Sequence, residues 1–272
     1  MSRHALTALS CFLAIALVGS WLLSIRTDAR GTTVRANLRY QQPSANAHLG
    51  TDHLGRDVAN RLATAVGISL RASLFAAGIA LVLATVLGVV AGWTAGGLMD
   101  RAVDFLSSLL FILPGFLLLL VLGALFELSL ATIYLVAGCL VWPPAARLVR
   151  AEVQLLRRAR FVTAERAAGF GTAAIFWRTI VPLTLLPPFL SLVYLLPELL
   201  GLDLGLSLFG VGAVDPSTPT LGRMVYQGLL DVRQAWWLAV FPSAAMALIC
   251  LFAYAVAEYA TSGFASTRPT RN

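Results

Sequence analysis

Between Trp142 and Pro182 the chain places Arg147, Arg150, Glu152, Arg157, Arg158, Arg160, Glu165, Arg166 and Arg178, with long, nearly uncharged apolar runs on either side. A charged, helix-forming insert between two membrane spans cannot lie in hydrocarbon, so it must project into water. Arg160–Gly169 reads as a helix stopped by glycine, since Gly169 can adopt positive φ. Thr172–Pro182 reads as a second helix returning to the membrane, with Thr172 as its cap. Ile175, Phe176 and Ile180 give that second helix an apolar contact face. The chemistry on offer is docking onto another protein; the plainer alternative is an amphipathic turn lying at the membrane interface.

The remaining reactive side chains narrow the function further. Every one of the twenty basic residues is arginine. A Walker A loop needs its lysine and a Schiff base needs an amine, so this chain is neither a P-loop ATPase nor an imine-forming enzyme. Any ATP hydrolysis that drives it belongs to a different polypeptide. Glu198 follows Pro197 inside an apolar run, and intramembrane carboxylates are functional candidates by default. Either it lines a solute path and favours a cationic solute, or it sits hydrated at the outer end of its span. Asp52 and Asp57 flank a Gly-containing turn, where they accept backbone N–H bonds or contact solute. Asp203 and Asp215 are assigned to an external loop. His48 and His53 are not at the i, i+4 spacing of a helical metal pair. Cys11, Cys139 and Cys250 fall inside apolar runs and read as buried thiols.

These residues hang on a membrane scaffold. The chain has 272 residues, of which 58% are hydrophobic and 12% charged, against roughly 45–50% and about 25% in soluble domains. Apolar runs of about 20 residues recur along it, which predicts six transmembrane helices and an all-α fold. The first run, Ala5–Ile25, reads as an uncleaved span rather than a signal peptide. A polar segment follows over 26–71. The second span is about 72–96, with Ala80, Ala84, Gly88 and Gly92 on one face; this reflects close helix packing, or the general taste of membrane helices for small residues. The third, 103–126, is kinked at Pro114-Gly115. The fourth, 130–148, is interrupted by Pro143-Pro144. The fifth, 183–202, is broken by Pro187-Pro188 and Pro197. A loop over 210–222 precedes the sixth, 236–259, which opens on the interfacial pair Trp236-Trp237. Six spans put both termini on one side, and the arginine distribution favours the side of the charged helical elbow at 142–182 as cytoplasmic only narrowly.

Four segments, in order, resemble the membrane-spanning permease subunits of bacterial ABC importers, most closely the second permease of the dipeptide, oligopeptide and nickel importers. They are Leu49-Gly-Thr-Asp-His-Leu-Gly-Arg-Asp57, Trp142-Pro-Pro-Ala-Ala-Arg-Leu-Val-Arg150, Phe161–Pro182, and Leu206-Ser-Leu-Phe-Gly-Val-Gly212 with Thr218–Gly222 and Ala235-Trp-Trp237. The third is similar to the family's ATPase-docking loop, with one departure: Thr163 stands where the family usually has glutamate. Glu165, two residues on, lies about 200° around a helix and faces elsewhere. Either the ATPase partner compensates, or Glu165 pairs locally with Arg158 or Arg166.

The resemblance implies the type I importer permease fold. It implies an N-terminal helix at 1–25, an extracytoplasmic loop at 26–71, a permease core at 72–260 holding a cytoplasmic docking loop at about 150–182, and a cytoplasmic tail at 261–272. The docking residues it implies are Ala164, Glu165, Gly169, Phe170, Gly171 and Pro182; the extracytoplasmic signature is Gly50, Thr51, Asp52, Gly55, Arg56 and Asp57. Glu198 is the candidate for the translocation path. The chain itself would be no enzyme and bind no cofactor or metal. Two P-loop ATPases would use ATP and Mg, beside a second homologous permease, an extracytoplasmic solute-binding protein and membrane lipid, with no nucleic acid. The location implied is the bacterial inner membrane, multi-pass, with both termini cytoplasmic. Short peptides are the expected solute, with nickel or a metal chelate as the alternative. An ion-coupled secondary transporter is the rival from another class.

Overall fold

The computed structural model describes residues 34, 36–45, 47–112, 114–126, 128–184, 186–211 and 218–265. The expected first span, Asp215, Cys11 and the last residues of the tail lie outside them. The described residues are helical, with two isolated backbone bridges near the turn at 44–57 and no strand.

The organising element is α1, Val58–Trp93, a 36-residue helix without proline. At about 1.5 Å per residue it is roughly 54 Å long, well beyond the ~30 Å hydrocarbon core. It begins earlier than the sequence suggested, because Asp57 caps it: its carboxylate accepts the Ala59 N–H at 2.9 Å. The residues 58–71, read from sequence as loop, are therefore helical. Their polar side chains are tied down by neighbouring elements, as described below.

Helices α2 (Leu98–Ile112) and α3 (Gly115–Leu125) are bent by 72° at the Pro114-Gly115 break, as the kink signal predicted. Helices α4 (Leu130–Leu140) and α5 (Pro143–Arg157) instead run on as one span over Leu130–Arg157. Pro143-Pro144 interrupts that span as expected: the helix stops at Leu140 and restarts with the pair in the first turn of α5. There a missing N–H costs little and the fixed φ suits a helix start. Among the described residues three helices are long and apolar enough to cross a membrane, or four if the bent α2–α3 pair is one span.

The elbow follows: α6 (Arg160–Ala167), α7 (Thr172–Ile175), a π-helical turn (Phe176–Ile180) and α8 (Val181–Thr184). The π turn has a local cause. Pro182 has no N–H to give the Arg178 carbonyl, and the Val181 N–H reaches back to the Phe176 carbonyl. Helix α9 (Leu186–Leu208) covers most of the stretch expected as the fifth span, but it runs unbroken through Pro187-Pro188 and Pro197, where breaks were expected; the pair sits in its first turn. Helix α10 (Leu221–Leu230) was read as loop from its Gly/Pro/Thr-rich approach. It forms because Thr220 Oγ1 accepts the Arg223 N–H at 3.3 Å. Helix α11 (Trp237–Ala265) completes the described chain.

The core lies where α1 meets α5, α4 and α9. Ala76, Ala80 and Ala84 are fully buried there among Leu119, Tyr134, Ala137, Trp142, Ala146 and Leu199. The small-residue face of α1 is thus a packing face. A Cβ on Gly88 would stand 2.7 Å from the Ala146 carbonyl oxygen, and one on Gly92 2.6 Å from Val153 Cβ. The α1 and α5 backbones cross too closely for side chains between them.

Candidate functional site

The elbow is held in one shape by four separate devices. Its first helix ends in a Schellman turn: the Gly169 N–H reaches the Arg166 carbonyl at 3.0 Å and the Phe170 N–H the Glu165 carbonyl at 3.1 Å. That closure needs the φ of +88° found at Gly169. The second device is a staple. Thr179 Oγ1 donates to the Glu165 carboxylate, 3.0 and 3.1 Å from its two oxygens, joining α6 to the π turn. Glu165 therefore pairs with neither Arg158 nor Arg166, which was one of the two readings left open; its local partner is Thr179, because its position on α6 turns it toward the second helix. Thirdly, Val162, Ile175 and Ile180 are buried together with Val89, Val149 and Val153. Each such side chain contributes about 1.5–3 kcal/mol relative to exposure in water. Lastly, the Trp93 ring packs 4.9 Å from Phe176, and the Arg157 guanidinium lies 5.3 Å over Trp93 while donating to the Gly92 carbonyl at 3.2 Å.

Two expectations are corrected here. Ile175 and Ile180 do not face outward as a contact surface; they fix the elbow to α1 and α5. The N-cap of α7 is Gly171, and Thr172 makes no capping bond. The outward face consists of other residues. Phe161, Phe170 (51% exposed) and Trp177 (68%) stand out of it, with Ala164, Gly169, Gly171 and Pro182 exposed beside them. Of the residues named for docking, only Glu165 is partly withdrawn.

The opposite end of α1 holds the second expected cluster, and there the acids and bases are matched. Asp52, 2% exposed, accepts N–H bonds from Leu54 and Arg56 at 2.9 Å on one oxygen. Its other oxygen takes Arg56 Nε at 2.8 Å and Arg61 Nη1 at 2.7 Å. Burial by itself would raise the Asp52 carboxyl, yet the Arg56 N–H, the two guanidinium groups and the Leu54 N–H outweigh it and hold the group below the ordinary carboxylate range. Arg61 goes on to donate to Gln227 on α10 at 3.1 Å. Thr51 Oγ1 donates to the Leu38 carbonyl and accepts the Gln41 N–H, while its own carbonyl takes Trp237 Nε1 at 3.3 Å. A Cβ on Gly50 would meet Gln41 O and Trp237 Nε1 at 2.7 Å each, so only glycine fits. The segment is a structural knot binding the N-terminal loop to α1, α10 and α11. His53 stands apart from any paired histidine, 3.8 Å from Asp231.

Glu198 lines a cavity of about 280 Å³ between α2, α3, α5 and α9, walled by Leu110, Phe116, Pro114-Gly115 and Pro143-Pro144. Both proline-marked junctions of the bundle thus open onto the same space as the one carboxylate of that run. Asp203, expected in a loop, instead lies buried on α9. It accepts from Thr220 Oγ1 at 3.1 Å and from the Gly222 N–H at 3.0 Å, so it closes the start of α10. Cys139, expected to be buried, is exposed on α4.

Sequence reasoning missed the Arg61–Gln227 link, the Asp203–Thr220 pair and a clamp between α5 and α2. In that clamp Arg150 Nε lies 2.7 Å from Asp100 and Nη1 3.1 Å from Asp104. A signal for the clamp existed: two acids four apart in a chain with few acids. The other two depend on residues distant in sequence and had none.

The family model described as binding-protein-dependent transport system inner membrane component matches residues 84–264. A glutathione transport system permease protein of Shigella flexneri serotype 5b is 32% identical over 255 residues, covering 92% of this chain and 81% of the relative. A counterpart in Escherichia coli O6:K15:H31 is 31% identical with the same coverage. A putative peptide transport system permease protein of Brucella suis biovar 1 is 29% identical over 251 residues, 92% of this chain and 82% of the relative.

Proposed function

Because this chain belongs to the binding-protein-dependent transport system inner membrane components, and so is the permease subunit of an ABC importer, we propose that it carries short peptides across the inner membrane. The relatives named for peptide and glutathione transport favour this solute class over nickel. The permease pairs with a second, homologous permease to enclose one path. An extracytoplasmic binding protein delivers the solute, and two P-loop ATPases hydrolyse ATP with Mg on the other face. The chain performs no chemistry itself, in keeping with its lack of lysine.

The observation that carries this reading is the elbow: a helix pair fixed rigidly to the ends of α1 and α5, with an aromatic outward face. In this reading the elbow is the ATPase-docking element, with Ala164, Gly169, Phe170, Gly171 and Pro182 at or near the contact. A part so anchored passes displacement to the spans as a rigid body. The bundle then alternates between two packings about the Pro114-Gly115 bend, which is switching by rigid elements rather than by gradual deformation. Glu198 lies on the path and attracts the positive end of a peptide. Six spans, with the apolar run at 5–25 as the first, put both termini in the cytoplasm with the elbow.

The test is purification of the tagged chain in mild detergent with mass spectrometry of what accompanies it. A second permease and P-loop ATPases at stoichiometric levels are the expected result. A chain that purifies alone and moves solute in liposomes without ATP would instead be a secondary transporter.

A further inference from the structure

Five arginines at the head of α1 and along α5 have partners: Arg56 and Arg61 hold Asp52, Arg150 holds Asp100 and Asp104, Arg147 stacks 4.3 Å over Phe111 and Arg157 caps the Gly92 carbonyl, while Arg39, Arg101 and Arg233 are singly placed and exposed. The elbow is different. Arg158, Arg160, Arg166 and Arg178 are all exposed, and among the described residues none of the four forms an ion pair. The single acid between residues 158 and 184, Glu165, is turned inward and held by Thr179. The exposed charge of the elbow is therefore entirely positive. Its arrangement is ordered too: Arg160, Thr163 and Arg166 recur every three residues on α6, each about 60° around from the last, so Thr163 lies midway along the arc that separates the two arginines. Thr163 thus occupies the helix position between two arginines, with Phe161, Phe170 and Trp177 as the exposed apolar bulk of the elbow.

Resting on the docking reading above, we infer that the ATPase surface receiving this elbow is acidic, with carboxylates that meet Arg160 and Arg166 across Thr163 around an apolar seat for the aromatic side chains. Guanidinium groups pair with carboxylates in a bidentate fork, and complementary charge fixes register and partner choice. Threonine at 163 then has a physical reason. A glutamate there would neutralise both neighbouring arginines within the elbow and repel the acidic seat. An anionic lipid headgroup is the competing user of the same arginines.

The experiment co-expresses the tagged full chain with the rest of its importer and measures ATPase subunits retained in detergent as salt is raised. Retention of the unaltered complex should fall with salt. Thr163→Glu, which restores the residue usual in related permeases, should lower retention about fivefold, the scale of one exposed ion pair. Arg166→Glu should do the same, while Arg166→Lys keeps most of it. Equal or stronger retention with Thr163→Glu, under salt-insensitive binding, overturns the inference and leaves the arginines to lipid. If the unaltered chain retains no ATPase at all, the docking reading falls and takes this one with it. Membrane yield and thermal unfolding of the variants, unchanged because residues 163 and 166 are exposed, separate lost docking from lost folding.

Discussion

The N-terminal end of α1 and the elbow beyond its C-terminal end use the same residue type in opposite ways. At the first, two arginines converge on one buried carboxylate, and one of them continues to Gln227. At the second, four arginines stand in solvent while the only nearby acid is committed to Thr179. The difference lies in the geometry of desolvation. A buried charge must be matched on the spot, whereas an exposed one is left available to a partner. Charge alone therefore does not distinguish the two ends; what distinguishes them is whether the charge is matched inside the fold.

The comparison breaks most directly at Asp52. Asp52→Ala leaves Arg61 buried without its counter-charge and should destabilise the chain by about 3–5 kcal/mol, read as thermal unfolding of the purified protein in detergent. The same carboxylate sets a pH dependence. Its folded pKa is depressed, so its contribution is complete above the unfolded value of about 3.9 and fades as pH falls through the lower folded value. The acid limb of unfolding below about pH 4 should flatten in Asp52→Asn; an unchanged limb would remove Asp52 from the account.

A second variant tests whether the elbow really rides on α1 and α5. Gly88→Leu forces a side chain into their crossing and should cost about 1–3 kcal/mol, lowering membrane yield together with uptake. Gly169→Val acts more locally. A β-branched residue at φ +88° is strained by about 1–2 kcal/mol, and nothing packs on the site. Insertion should be normal and peptide uptake lost; full uptake in this variant would sink the docking role. Smallest of all is the stability change for Arg160→Ala with Arg166→Ala. Exposed and unpaired, they should alter unfolding by no more than about 0.5 kcal/mol, whereas a shift the size of that for Asp52→Ala would erase the contrast between the two ends.

How much was readable in advance differs from element to element. The Pro114-Gly115 bend and the Gly169 stop were legible because each is local: a missing N–H and a positive φ act on the nearest turn. The start of α1 was not, since Arg61, Ser69 and Arg71 read as loop until Gln227 and Leu221 on α10 are seen to bond the first two. Helix α10 was hidden behind a Gly/Pro/Thr-rich approach. Pro143-Pro144 was legible as a break for a local reason too, since the pair ends one helix and opens the next.

Apolar run length, the absence of lysine and the charge of the elbow were fixed by the chain alone, because hydrocarbon thickness, P-loop chemistry and water each impose a rule on composition. Tertiary structure decided which charges are matched and which face of the elbow points out. Ile175 and Ile180 lie inward and Phe170 and Trp177 outward because α1 and α5 supply an apolar seat on one side only. Glu165 finds Thr179 across a turn for the same reason. Such choices depend on which surfaces meet, and spacing along the sequence does not contain them.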